Sequence, residues 1–322
     1  MQKILNNVSN YEVFEANFEA LRLALNAQGE QYSAGWFHGI AGSAFRVGGI
    51  CPCAPTCTFA MSPQQLIKLL GYEYTECPYD DADKEGALAK AVTAVRASID
   101  NGVPAMVWHA FSMCEWDVVA GYDAAENVFF GRSSGPGNAG DYAKNPWNNT
   151  LSTFASNGIM AITIQKSSGT FDKRNAEIAA IREAIRHANN TENTDKLGGS
   201  EWVFLQGKAA YKRWANDFSN PDHKRGLGDA YCIGIYASSH GMAAPFLREI
   251  APNYPAAADL LSQAAECFNK EAAALRNLLP LLGWNSPEAD SPRNERAVPF
   301  LRDAAGYYSS AIDLLSTAVE KM

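Results

Sequence analysis

The stretch Glu115-Trp116-Asp117-Val118-Val119-Ala120-Gly121-Tyr122-Asp123 decides how the first half of this 322-residue chain is read. An apolar, partly β-branched run closing on Gly-Tyr-Asp reads as a buried strand that ends in a tight turn. The residues before it, Val103-Pro104-Ala105-Met106-Val107-Trp108, form a second strand candidate, and proline at its start removes few ladder bonds. Val128–Gly131 and Gly158–Gln165 make a third and a fourth. Upstream, Phe14, Phe18, Leu21 and Leu25 recur at helical steps and predict a helix over about residues 11–27. Ser62-Pro63-Gln64-Gln65 has the form of a capping box with proline in the first turn, and that helix should stop at Gly71. A third helix is expected from about Lys84 to Asp100, closed by Asn101-Gly102. Helices first and an antiparallel sheet second is an α+β order.

Composition changes near residue 168, and Lys166-Ser167-Ser168-Gly169-Thr170 is the expected boundary between domains 1–168 and 169–322. The second part reads as five helices, at roughly 172–190, 199–218, 228–250, 254–280 and 292–320. In the last, Leu301, Ala305, Tyr308, Ile312, Leu315 and Val319 form an apolar stripe. Helices of this length with short links pack as an all-α bundle.

Net charge is −8, with no basic stripe, and both halves are acidic. Nucleic-acid binding needs a positive surface to displace counterions, so neither nucleic acid nor an anionic membrane is an expected partner. No apolar run is long enough to span a bilayer. Met1–Asn7 lacks the apolar segment of a secretory signal, so a cytoplasmic protein is the expectation. The cysteine count, seven, is odd, and free thiols are expected rather than a disulfide framework.

Five of the thiols lie in the first half, three of them in Cys51-Pro52-Cys53-Ala54-Pro55-Thr56-Cys57. A zinc site needs four ligands, usually in two pairs, and no second pair is nearby, so no metal and no cofactor are assigned. Cys57 is a candidate nucleophile. The competing reading makes all three small apolar loop residues. His109 follows directly on a strand end and could serve as a base, or as a structural hydrogen-bonding group. His38, in the segment Trp36-Phe37-His38-Gly39-Ile40-Ala41-Gly42-Ser43-Ala44-Phe45-Arg46, is weighed the same way. Glu115 and Asp117 flank Trp116 and would point to one side of a strand, where two carboxylates raise each other's pKa and could hold an amine. Arg46, embedded in apolar sequence, is expected to find a carboxylate. Gly131-Arg132-Ser133-Ser134-Gly135-Pro136-Gly137 lacks the ending of a phosphate loop and reads as a flexible loop beside the cleft. Tyr236 and His240 would share a helix face in the second half, as packing residues.

Two motifs, Gly39-x-x-Gly42-x-Ala44-Phe45-Arg46 and Glu115-Trp116-x-x-Val119-x-Gly121-Tyr122-Asp123, resemble a papain-like domain. The likeness is to cysteine peptidases of the double-glycine-leader type and to the N-terminal domain of the butirosin-biosynthesis acyltransferase. Gly207-Lys208-Ala209-Ala210-Tyr211-x-x-Trp214 and Ala243-Ala244-Pro245-Phe246-Leu247-Arg248 resemble the uncharacterised helical C-terminal domain fused to it in bacteria. The resemblance implies a papain-like fold over 1–168 and a cleft lined by Trp36, His38, Cys57, His109, Glu115, Trp116 and Asp117. Of these, Cys57, His109 and Glu115 are the catalytic candidates, and Trp36, His38, Trp116 and Asp117 the substrate-binding ones. It also implies transfer of an aminoacyl group from a carrier-protein thioester to an aminoglycoside amine, or amide hydrolysis. In those enzymes the catalytic histidine opens the strand and the nucleophile opens the first helix. Here Glu115 holds the first place, and Phe14–Ala16, without a cysteine, the second. Two functions follow as expectations: an acyl-transfer or amide-hydrolysing enzyme with an atypical site, or a catalytically inactive protein that binds a small amine or peptide in the same cleft. A third reading makes the helical bundle a homo-oligomerisation scaffold.

Overall fold

The computed structural model of the protein describes residues 1–48, 61–152, 158–166, 169–190, 205–220, 222, 226–287 and 295–322. It is a mixed α and β structure that divides into two compact units. The first comprises residues 1–34 and 62–171; the second comprises 35–61 and 172–322.

In the first unit, α1 (Ala16–Asn26) starts later than the apolar spacing suggests, because Glu15 acts as its N-cap and accepts the Phe18 N–H. α3 (Pro63–Leu69) has the expected capping box, with Ser62 and Gln65 satisfying each other's backbone N–H groups. It stops at Gly71, which takes φ +82. α4 (Lys84–Asp100) is capped by Asp83 and ends at Gly102, also left-handed. The antiparallel sheet contains β2 (Tyr72–Pro78), β3 (Ala105–Trp108), β4 (Trp116–Asp123), β5 (Val128–Arg132), β6 (Ala143–Pro146) and β7 (Ile159–Lys166), in the order β2-β7-β3-β4-β5-β6. β1 (Gln2–Ile4) pairs with Gly121–Asp123 of β4, beyond the four β4 residues that β3 covers. Gly121 permits this pairing: a Cβ there would lie 2.7 Å from Lys3 O.

The β3–β4 register fixes the two faces. Ala105 and Val107 lie opposite Val119 and Asp117, and Met106 and Trp108 lie opposite Val118 and Trp116. Ala105, Val107 and Val119 belong to the core built on α4 by Leu88, Val92, Val95 and Ile99. Directly paired residues share a face. Asp117 therefore projects from an otherwise apolar face.

β1, β2 and β6 are not legible as strands in the sequence. The Gly131–Gly137 segment, expected to be flexible, is instead tied down. Arg132 donates through Nη1 to Gly140 O (2.5 Å) and to Gly137 O, and its guanidinium stacks over Tyr142.

The second unit is helical, with α5 (Lys173–Ala188), α6 (Gly207–Ser219), α7 (Leu227–Ser239), α8 (Ala243–Ile250), α9 (Ala258–Leu282) and α10 (Ala297–Ala318). The helix expected over 228–250 is two helices, broken by a 3-10 turn at His240–Met242. The inward stripe of α10 is Leu301, Ala304, Tyr308, Ile312, Leu315 and Ala318; Ala304 and Ala318 replace the expected Ala305 and Val319.

The expected boundary places Trp36–Arg46 in the first domain, and here the structure corrects the sequence. α2 (Ala34–Ala41) and the residues to Gly48 group with the helical unit. The cause is packing. Gly39 lies against the Phe246 ring so closely that a Cβ would sit 2.2 Å from Cγ, and Gly35 lies against Pro245. Phe45 packs edge-on against Phe246 and tilted against Phe268, with centroids at 5.9 and 5.3 Å.

Candidate functional site

The chemistry-bearing residues of the first unit gather where α1 begins and the β3–β4 connection ends. Tyr11, buried before α1, donates its hydroxyl to Trp116 O at 3.0 Å. Burial, and then the charges of Asp117, Glu19, Glu115 and Glu15, push its phenol well above the usual tyrosine range. The charges that act on it belong to the start of α1 and to the start of β4.

Each carboxylate is held differently. Glu15 accepts the Phe18 N–H through Oε2 (3.1 Å) and the Asn17 amide through Oε1 (3.0 Å). A negative charge at this helix start is stabilised by the orphan N–H groups of the first turn. Glu19 is fully buried and forms a two-pronged pair with Arg22, Nε to Oε2 at 2.9 Å and Nη2 to Oε1 at 2.6 Å. Arg22 also reaches the largely exposed Glu12 at 2.8 Å. Glu115 is 8% exposed. Asp117 is fully buried; its Oδ2 accepts the Phe111 and Ser112 N–H groups at 2.6 and 3.0 Å, and its Oδ1 has no hydrogen-bond partner. Burial pushes its carboxyl up to about 7, against the pull of those two N–H groups. Glu15, Glu19, Glu115 and Asp117 are thus all buried, and Arg22 pairs with Glu19 and Glu12.

His109 stands at the end of β3 with φ +57. Its Nδ1 accepts the Cys114 N–H at 2.8 Å, and its Nε2 lies 3.2 Å from Ser152 Oγ. Both ring nitrogens are engaged, and burial lowers the imidazole pKa. Trp116 is a packing residue, edge-to-face with Trp108 at 5.7 Å.

The structure gathers His109, Glu115, Trp116 and Asp117. Trp36 and His38 belong to the second unit. There the Trp36 indole donates to Glu177 Oε1 at 3.0 Å, with the Lys173 ammonium over its ring, and fully buried His38 meets Ser43 Oγ at 2.7 Å. Both fill the interior of an apolar helix packed against α8. Cys57 and the rest of its cluster lie outside the described residues. Among the described residues, Cys77, Cys114, Cys232 and Cys267 are free thiols, and no group of three His, Cys, Asp or Glu side chains could hold a metal ion.

Sequence reasoning missed Tyr11, Glu15, Glu19 and Arg22. One signal was present: Glu12, Glu15, Glu19 and Arg22 follow each other at three- and four-residue steps, so they share a helix side beside the apolar one. A second buried polar cluster, in the helical unit, joins Arg46, His240, Glu271 and Tyr211.

Compared with models of known protein families, the chain has no match. Compared with curated proteins, it has none either.

Proposed function

We propose that the first unit is a papain-like domain that has exchanged thiol chemistry for cation recognition, binding a small amine or an amine-bearing peptide at Glu15 and Glu115. The observation that carries this reading is the burial of two carboxylates, Glu15 at the N-cap of α1 and Glu115 immediately before β4. Those are the two places at which the resemblance puts a nucleophile and a base. With carboxylates at both, the site attracts an ammonium group. Removing charges from water is expensive unless an opposite charge meets them, and a bound ammonium supplies it.

The acyl-transfer reading rests on Cys57, with His109 as its base and Glu115 beside them. Less supports it, because His109 already engages Nδ1 with the Cys114 N–H and Nε2 with Ser152 Oγ. Carrier-protein docking belongs to that reading, and self-association through the helical unit is compatible with either. No described helix is long and apolar enough to cross a membrane, and the four described thiols are free; a cytoplasmic setting fits both facts.

Thermal denaturation of the full chain in the presence of linear polyamines, aminocyclitols and lysine-ended peptides tests the proposal. Stabilisation by amines, and none by their acetylated counterparts, is the expected result. Equal shifts with both sets, or no shift with any amine, would overturn it.

A further inference from the structure

β2 (Tyr72–Pro78) is the end strand of the sheet and pairs on one side with β7. Along an antiparallel strand the main-chain groups alternate, toward the partner and away from it. Tyr79 N–H donates to Gly158 O, which turns Tyr79 toward β7 and Pro78 away from it. The register shift at Cys77/Pro78 passes over Met160, a residue of β7, so the alternation of β2 itself runs on unbroken. Glu73, Thr75 and Cys77 therefore turn to β7, and Tyr72, Tyr74, Glu76 and Pro78 turn outward. Proline has no N–H, and on the outward side it removes no bond from the ladder. Three N–H and four C=O groups thus line an edge that no strand among the described residues covers.

The two ends of the sheet differ. β6 has four residues and closes on Pro146, whereas β2 has seven and holds proline only at its last position. A long regular edge is a template for another strand. Beside it lies a cavity of about 520 Å³, lined by Ser62, Gln64, Gln65 and Lys68 at α3 and by Tyr74 and Glu76 of β2. Main-chain bonds along an edge give affinity in strand addition, and a neighbouring pocket for a side chain gives specificity.

Charge selects the occupant. Between Ser62 and Lys84 the chain carries five carboxylates, Glu73, Glu76, Asp80, Asp81 and Asp83, against two ammonium groups, Lys68 and Lys84. Glu73 and Glu76 are exposed on β2 itself. A second copy paired edge to edge would set this acidic strip against itself, and like charges across a strand pair are destabilising. We propose that the outer edge of β2 takes a basic peptide segment in extended conformation as an added strand, with one of its polar side chains in the cavity. This surface is separate from Glu15 and Glu115, since β7 and β3 lie between β2 and β4.

Hydrogen exchange of the full chain, read amide by amide by NMR, tests the proposal with a blocked heptapeptide of alternating lysine and valine. Without peptide, the Glu73 and Thr75 amides should be protected and those of Tyr72, Tyr74 and Glu76 fast. The peptide should slow these three by about tenfold or more. Its fully N-methylated counterpart, which keeps the charge and cannot donate, should leave them fast, as should a glutamate–valine peptide. Replacing both Glu73→Lys and Glu76→Lys should abolish the slowing by the lysine peptide; full slowing in that variant would contradict the part given to the acidic strip. In the wild type, no slowing with the lysine peptide, or equal slowing with the N-methylated one, would overturn the proposal whether or not the variant folds. Protection of the three amides before any peptide is added would overturn it too. In a dimer by sedimentation a second copy then holds the edge, and in a monomer another part of this chain does. The readout is local to β2, so a lysine peptide bound at Glu15 and Glu115 instead leaves these amides fast and counts against the edge alone.

Discussion

Asp117 accepts the Phe111 N–H on Oδ2 at 2.6 Å, and its other oxygen is buried without a partner. The carboxyl is raised from 3.8 to about 7, so the folded state holds a proton that the unfolded state has released between those values. Stability therefore falls as pH rises from about 4 to about 7, by on the order of 4 kcal/mol if the whole shift is expressed. Asp117→Asn keeps an acceptor for the loop and removes the titration. Urea unfolding at pH 4.5 and 7.5 should show that slope in the wild type and a flatter one in the variant.

His109 acts in the opposite sense. Its folded pKa is lowered, so its contribution is fully present above the unfolded value of about 6.5 and is lost as pH falls through the folded value. Comparing Asp117→Asn with His109→Gln in the same urea series separates the two slopes. An Asn variant that still loses stability from pH 4.5 to 7.5 as the wild type does would place the effect elsewhere.

Thiol reactivity is expected to be slow at the described cysteines. Burial raises the thiol pKa of Cys77 and Cys267, so less thiolate is present at a given pH. Site-resolved alkylation with iodoacetamide should rise for both only above about pH 8. Fast labelling of Cys77 near pH 6 would mean that a cation reaches it.

In the helical unit, His240 Nε2 faces Arg46 O and Nδ1 faces Glu271 Oε1, both at 2.8 Å. Both acceptors call for an N–H, and the carboxylate oxygen also takes the Tyr211 hydroxyl. This fully buried pair loses its balance when one partner is removed. Glu271→Ala should destabilise the protein by about 3–5 kcal/mol, and Glu271→Gln, which keeps an acceptor, by less. Equal losses for the two variants in chemical denaturation would show that the charge is unimportant.

Gly39 tests why α2 belongs to the helical unit. Alanine there meets the base of the Phe246 ring, which can give way only by moving its helix. Gly39→Ala should cost about 1–3 kcal/mol, and Phe246→Leu in the same chain should recover part of it. Additive losses would mean that the two residues do not meet.

What the sequence revealed depended on how local the cause was. The Ser62 capping box, the left-handed stops at Gly71 and Gly102 and the β4 strand each rest on a few neighbouring residues, and each is where the pattern places it. The break at His240 was hidden because the turn residues His240, Gly241 and Met242 sit between two helix formers without a proline. β2 and β6 alternate exposed polar and partly buried residues, so little hydrophobic signal marks them. The membership of Trp36 and His38 is a tertiary fact, set by Gly39 against Phe246, two hundred residues apart. At the candidate site, Glu115, Asp117 and His109 were visible as polar residues at strand ends. Glu15 and Glu19 were not singled out, because acidic residues at the start of a helix ordinarily face solvent, whereas burial beside Arg22 makes these two interior groups.

Isothermal titration calorimetry with spermidine at pH 7.5 and low ionic strength, on the wild type and on Glu15→Gln and Glu115→Gln, tests the central claim most directly. The account predicts saturable binding that weakens with added salt and loses about tenfold or more in each variant. Binding of equal strength in all three proteins, or none in the wild type, would contradict it.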